Sequence, residues 1–273
     1  MQLFHKYLPQ FFAAGILALQ LFTPSFSEVL PASIPCQGKT CYHPAMSTPW
    51  NYVLSVTPNL GGMAELFDID LFNTTADVVA KAHAGNKKVV CYMSAGSSEN
   101  WRPDFKNFPK SVLGKNMDGW VGEKWLDIRN ITALGPIMTA RLDQCKAKGF
   151  DAVEFDNVDG YSNASGFSLT NNDQLKYNIF LANEAHKRGL TVGLKNDLDQ
   201  VSVLSNYFDF AVNEQCFQYG ECSALKPFIA KGKPVFNVEY SGNIVTLGQK
   251  AKVLHFNTIK KSLDLNNKYE FAN

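Results

Sequence analysis

The chain has 273 residues, 45% of them apolar, enough for one large domain with a substantial core. Its 26 basic and 25 acidic residues leave a net charge of +1. That balance argues against nucleic acid, whose binding calls for a basic surface, and leaves any cationic partner to a local acidic patch.

In chain order, His5 and Lys6 precede an apolar run from Phe11 to Phe22, and Ser25-Phe26-Ser27 offers small residues for cleavage. This layout predicts a secretory signal peptide over residues 1–27, since a membrane anchor needs roughly 20 apolar residues. No later run is long enough to span, so a secreted or cell-wall-associated protein, free of the membrane after cleavage, is expected. Residues 28–49, rich in Pro, Ser and Cys, read as an irregular N-terminal lead.

Export makes disulfides plausible. Cys36 and Cys41 bracket four residues and Cys216 and Cys222 bracket five, so each pair can staple a loop. Cys91 and Cys145 fall in an expected strand and helix and read as buried thiols. The sequons at Asn73, Asn130 and Asn163 fit a glycosylated secreted protein.

Strand-like and helix-like segments alternate from Trp50 nearly to the end. The expected strands are Trp50 to Ser55, Leu66 to Leu71, Lys88 to Ser94, Phe150 to Asp156, Thr191 to Lys195, Phe210 to Glu214, Pro234 to Glu239 and His255 to Lys260. Between them, Ile137 to Lys148 carries apolar residues at helical spacing. Thr170 to Arg188 opens on an N-cap with Asp173 three residues on, and stops at Gly189. Eight such units over residues 50–273 predict an α/β protein with a single-domain (β/α)8 TIM barrel; a doubly wound open sheet is the alternative. No GxGxxG or Walker A pattern follows a strand, which counts against the nucleotide-binding sheet. The long insert from Ala95 to Asn130, with Trp101, Trp120 and Trp125, follows a strand end and can wall a cleft.

The expected strand ends gather polar groups. Asp68 and Asp70, and Glu154 and Asp156, alternate with apolar neighbours, so each pair shares one strand face that can point into the barrel. Lys195 leads into Asn196-Asp197, while Asn213-Glu214 and Glu239-Tyr240 end two further strands. The face of Glu214 is ambiguous because Val212 shares it. A lone Asp at a strand end is often a turn former, a reading open to Asp159 and Asp197, and Lys195 can equally hold an interior acid. Several carboxylates on one interior face are harder to explain structurally, because each must find a partner or shift its pKa. Two carboxylates flanking a glycosidic bond are the equipment of a glycosidase. Tyr92, Trp101, Trp120, Tyr161, Phe217, Tyr219 and Tyr240 add faces on which sugars stack, although core packing is as good a reading of Trp120 and Trp125.

The runs Cys91-Tyr92-Met93-Ser94-Ala95-Gly96, Trp101-Arg102-Pro103-Asp104, Trp125-Leu126-Asp127-Ile128-Arg129, Glu154-Phe155-Asp156-Asn157-Val158-Asp159-Gly160-Tyr161, Gly193-Leu194-Lys195-Asn196-Asp197 and Asn213-Glu214-Gln215-Cys216 occur in an order that resembles the endo-α-1,4-polygalactosaminidase family, glycoside hydrolase family 114. The resemblance runs from Trp50 to about Tyr240 and departs at Trp50-Asn51-Tyr52, where Tyr52 stands in place of a second Trp. It implies a TIM barrel that cleaves within α-1,4-linked galactosamine polymers, with the catalytic pair carried here by Asp156 and Glu214. Asp156 is then the candidate nucleophile or base and Glu214 the candidate general acid/base. Substrate-binding candidates around them are Asp70, Tyr92, Ser94, Trp101, Asn157, Asp159, Tyr161, Lys195, Asn196, Asp197, Asn213, Glu239 and Tyr240. Free amino groups on the sugar would be drawn to Asp70, Asp159, Asp197 and Glu239. A retaining mechanism is favoured, a monomer is expected, and neither cofactor nor metal is. The rival readings are an inactive polysaccharide-binding barrel and a metal-dependent hydrolase, the latter weakened by the isolation of His83, His186 and His255.

Overall fold

The computed structural model describes residues 29–36 and 41–272. The expected signal peptide and the turn at residues 37–40 lie outside the described residues. From Pro31 onward the chain forms one unit built on eight parallel strands taken in chain order. They are Trp50–Val53, Leu66–Asp70, Lys88–Ser94, Ala152–Asp156, Thr191–Lys195, Phe210–Glu214, Val235–Glu239 and Asn257–Lys260. The ladder runs continuously from first to eighth, and Glu270–Phe271 adds a short antiparallel strand to the last. The sheet curls until its ends meet: the Trp50 indole donates to the Asn257 carbonyl at 2.9 Å, and the Leu54 N–H to the Leu265 carbonyl at 3.0 Å. The architecture is the expected TIM barrel rather than an open sheet.

Strand periodicity explains what fills it. Trp50, Tyr52, Leu66, Val90, Ala152, Phe210, Val212, Phe236, Val238 and Ile259 form one buried cluster inside the barrel. Inward positions are therefore even-numbered on the fourth and sixth strands, and both Asp156 and Glu214 continue the inward face at its top. The ambiguity at Glu214 is resolved, because the face it shares with Val212 is the interior one. A glycine is required at Gly193, where a Cβ would lie 2.3 Å from the Phe210 ring that occupies its place.

The helix Asn171–Lys187 begins with the expected capping box between Thr170 and Asp173. Ile131–Lys148 starts six residues earlier than its pattern suggests. Gly135-Pro136 reads as a breaker, yet Asn130 caps the Ala133 N–H, and burial of Leu134, Ile137 and Met138 carries the helix through the proline. The insert holds a three-stranded antiparallel sheet of Ser97–Glu99, Leu113–Asn116 and Glu123–Leu126.

Cysteine pairing corrects one expectation. Cys36–Cys41 and Cys216–Cys222 are bonded as anticipated, but Cys91 and Cys145 also form a disulfide, with Cα atoms 6.0 Å apart. Cys91 lies on the outward face of the third strand and Cys145 on the buried face of Ile131–Lys148, so the two thiols meet where helix packs on sheet. No local spacing signals a pair 54 residues apart. Among the described residues no helix is long and apolar enough to cross a membrane.

Candidate active site

The C-terminal ends of the barrel strands open into a cleft of about 630 Å³. Its floor is Tyr52, Tyr92, Asp156, Lys195 and Glu214; Trp101, Trp120 and Trp125 from the insert form one wall, and Leu263, Asp264 and Leu265 the other. Trp101 and Trp120 are half exposed or more, whereas Trp125 is buried and does both jobs, core and wall. Beyond Asp159, Asn196 and Glu214 the cleft continues into an acidic hollow of about 340 Å³ with Tyr161, Asp197, Asp199, Tyr219 and Glu221. A larger groove of about 860 Å³ lies against Ile244–Leu254 and carries no carboxylate.

One cation organises the floor. Lys195 Nζ donates to Asp156 Oδ1 at 2.9 Å and lies 3.1 Å from Glu214 Oε2. Those two distances keep the Asp156 and Glu214 oxygens within about 6 Å of each other. Asp156 also accepts the Tyr92 hydroxyl at 2.7 Å and the Asn157 N–H at 2.8 Å. Burial alone would raise its pKa, but the Lys195 charge and these hydrogen bonds outweigh it and hold the carboxyl below the usual value. Burial likewise opposes the charge on Lys195, and Asp156, Glu214 and Glu154 raise its pKa well above normal. Glu214 Oε1 accepts the Tyr240 hydroxyl, and its N–H donates to Asn196 Oδ1 at 3.0 Å. The site therefore holds a firmly ionised carboxylate and a second carboxyl group within reach of one bond.

The residue after each of these strand ends has a left-handed backbone: Asn157 at φ 60°, Asn196 at 48° and Gln215 at 63°. Asn tolerates that region better than most residues, which accounts for Asn following Asp156 and Lys195. Asn157 is pinned by its amide, which donates to Ser94 Oγ at 2.8 Å and Glu123 Oε1 at 3.1 Å. Gly96 permits this, since a Cβ there would lie 1.6 Å from the Asn157 carbonyl oxygen. Two runs of the sequence, Ser94-Ala95-Gly96 and Asp156-Asn157, thus form a single contact.

The structure brings Asp70, Tyr92, Trp101, Asn157, Asp159, Lys195 and Asn196 into the cleft with Asp156 and Glu214, and Tyr161 and Asp197 into the hollow. It separates four others. Ser94 is fully buried in the network under Asn157, and Tyr240 acts through Glu214. Asn213 and Glu239 line neither cavity. They face outward from the sheet, where Asn213 Oδ1 takes the Cys216 N–H and Glu239 Oε1 the Phe217 N–H, fixing the loop behind Glu214. Asp70 is neutralised by Arg102, which also binds Glu99 at 2.8 Å. Glu99, Arg102 and Glu123 are cleft residues that strand-end reasoning overlooks, because they sit on the insert; burial pushes Glu123 up to about 7. The three isolated histidines do structural work: His83 binds Asp151, His186 binds Asp209, and His255 ends a helix with φ 58°.

The sequence model of glycoside-hydrolase family GH114 matches residues 32–273. Among solved structures, the Aspergillus fumigatus Ega3 complex with galactosamine shares 40% identity, covers 86% of this chain and 98% of its own, and superposes with a TM-score of 0.79. The glycoside hydrolase domain of PelA from Pseudomonas aeruginosa shares only 11% identity over 82% of this chain and 98% of its own, with a TM-score of 0.66, and so shares the fold. A comparison with curated proteins gives no match.

Proposed function

The chain belongs to glycoside-hydrolase family GH114, and from that premise we propose that it is a secreted enzyme cutting internal α-1,4 linkages in a galactosamine-containing polysaccharide, with Asp156 as nucleophile and Glu214 as general acid/base. The observation that carries the reading is the single ammonium of Lys195 shared by the two carboxyl groups. A separation within about 6 Å falls short of the about 6.5–9.5 Å of inverting glycosidases and suits the about 5–5.5 Å of retaining ones.

In the first step Asp156 attacks the anomeric carbon while protonated Glu214 gives its proton to the departing oxygen. Asp156 loses its charge to the glycosyl ester as Glu214 gains one, so Lys195 faces a constant total charge and need not move. In the second step Glu214 takes a proton from water, the water oxygen attacks the anomeric carbon, and Asp156 leaves as a carboxylate. Tyr92 and Tyr240 hold the two carboxyl groups in their rotamers throughout.

Geometry narrows where the amino groups of the polymer would sit. Asp70 has Arg102, and Glu239 faces away. Asp159 and Asp197, with Asp199 and Glu221 beside them, are left in the hollow. Asp197 is 4% exposed, and its Oδ1 has no donor. Burial and neighbouring Asp159 raise its pKa to about 8, so a bound ammonium would restore its charge. The galactosamine in the 40%-identical relative supports an amino-sugar substrate. Three disulfides and the signal-like leader support secretion.

Incubation with partly deacetylated α-1,4-galactosamine polymer tests the reading. Wild type should release oligosaccharides with the α configuration retained, and Asp156→Asn and Glu214→Gln should release about 10³-fold less or lower. Binding without release by wild type would instead leave a polysaccharide-binding barrel.

A further inference from the structure

One inward step below Asp70 and Asp156 lie two carboxyl groups that the proposed reaction does not use. Asp68 on the second strand is 1% exposed and Glu154 on the fourth is 0% exposed. No N–H or O–H group among the described residues reaches either oxygen of Asp68 or Glu154 Oε2, and Glu154 Oε1 accepts only the Tyr52 hydroxyl at 3.3 Å. Two ionised carboxylates in this position would be buried with a single long hydrogen bond from Tyr52 between them, which proteins avoid. The two side chains instead hydrogen-bond to each other, and that bond needs one proton between them.

The surroundings agree. Burial raises Asp68 to about 7 and lifts Glu154 well above the carboxylate range. The titratable groups facing the pair are Tyr52 from the first strand, Tyr92 from the third, Asp156 from the fourth, Lys195 from the fifth and Glu214 from the sixth. The seventh and eighth strands face it with Val238 and Ile259. Lys195 is the cation acting on both acids.

We infer that Asp68 and Glu154 share one proton and act as a single buried anion beneath Lys195, a positioning pair that holds the ammonium between Asp156 and Glu214. Lysine is a point charge on a flexible stem, with nothing in its own shape to centre it. An anion below and two carboxyl groups above fix it along the barrel axis. Because the pair carries one charge, either member can be replaced by its amide, whose N–H takes the part of the shared proton. Replacing both removes the anion.

The functional part of this inference rests on the hydrolase reading, so its test has two arms. In the first, polymer hydrolysis is measured for Asp68→Asn, Glu154→Gln and the double variant, with folding checked by thermal melting. Each conservative single variant should stay within about threefold of wild-type kcat, while the double should lose about 10- to 100-fold in kcat with little change in KM. A single variant as damaged as the double, or a double with wild-type kcat, overturns the positioning role. In the second arm, infrared difference spectra at pH 6, wild type minus either single variant, should show one protonated-carboxyl band, the bands of Glu123 and Asp197 cancelling because both proteins carry them. Its absence from the difference spectra overturns the shared proton whether or not the polymer is cut. Failure of wild type to cut the polymer while the band is present counts against the hydrolase reading alone.

Discussion

Arg102 grips Asp70 with two parallel hydrogen bonds, Nη1 to Oδ1 at 2.9 Å and Nη2 to Oδ2 at 2.6 Å. Both side chains are almost completely buried at the edge of the cleft. Asp70 Oδ1 also accepts the N–H groups of Phe72 and Asn73, so both oxygens are engaged by the protein.

That pairing separates two kinds of acid in the cleft by experiment. Asp70→Asn leaves Arg102 with only Glu99 and should cost about 3 kcal/mol of stability, without changing preference between acetylated and free amino sugars. Asp197→Asn and Asp159→Asn should fold normally and raise KM for highly deacetylated polymer about 10-fold, the loss of one charge-assisted hydrogen bond. Melting curves and kinetics on polymers of graded acetylation check both. Equal discrimination in wild type and the Asp197 variant would remove the hollow from substrate recognition.

Lys195→Met should be more damaging than its distance from the reacting carbon suggests. Without the ammonium, burial of Asp156 is opposed only by the Tyr92 and Asn157 hydrogen bonds, so its folded pKa rises. The acid limb of the pH profile should therefore shift upward, with kcat down about 10²- to 10³-fold at pH 5. An unchanged acid limb would show that Lys195 does not control the nucleophile.

Much of this arrangement is legible in the sequence because parallel strands alternate strictly. Lys88–Ser94, Thr191–Lys195 and Phe210–Glu214 agree with their expected bounds residue for residue. The last strand begins at Asn257 rather than His255 because His255 adopts a left-handed helix cap. Periodicity also brings Asp156 and Glu214 to one end of the barrel. It cannot reveal partners across the chain. Asp70 reads like Asp156 until Arg102 is seen to reach it from 32 residues away. Glu239 reads like Glu214, although odd and even positions on neighbouring strands point to opposite faces. Glu123 lies in an insert with no regular pattern, and the 54-residue separation of Cys91 and Cys145 conceals their bond.

That bond predicts a stability effect. Closing a loop of 54 residues restricts the unfolded chain by about 4 kcal/mol in the chain-entropy model. The Cys91→Ala, Cys145→Ala double variant should melt roughly 10 °C lower, with KM unchanged because neither residue lines the cleft. Calorimetry under non-reducing conditions checks it, and an unchanged melting temperature would show that helix packing alone holds Ile131–Lys148 in place.

Stability should also fall as pH rises. Burial raises the folded-state pKa of Glu123 to about 7, Asp68 to about 7 and Asp197 to about 8. The folded protein therefore binds more protons than the unfolded chain between about pH 4 and pH 8. The stabilising contribution is complete below the unfolded pKa and is lost as pH rises through the folded values. Melting temperature should be higher at pH 5 than at pH 8, and Glu123→Gln should flatten the slope. A melting temperature that climbs across this range would contradict the raised values.

Gly193 and Gly96, both tightly packed, should respond differently to the same substitution. At Gly193 the obstacle is the Phe210 side chain, 2.3 Å from an added Cβ. Gly193→Ala should destabilise strongly, and adding Phe210→Leu should recover part of the loss, because the smaller side chain vacates the space. At Gly96 the obstacle is the backbone carbonyl of Asn157, 1.6 Å away. No side-chain change can relieve that contact, so Gly96→Ala must displace the left-handed turn that follows Asp156. Its effect should therefore appear in kcat as well as in stability, and truncating nearby side chains should not restore it. Thermal melts and kinetics on the three variants decide between these outcomes. A Gly96→Ala enzyme with wild-type kcat would show that the turn does not position Asp156.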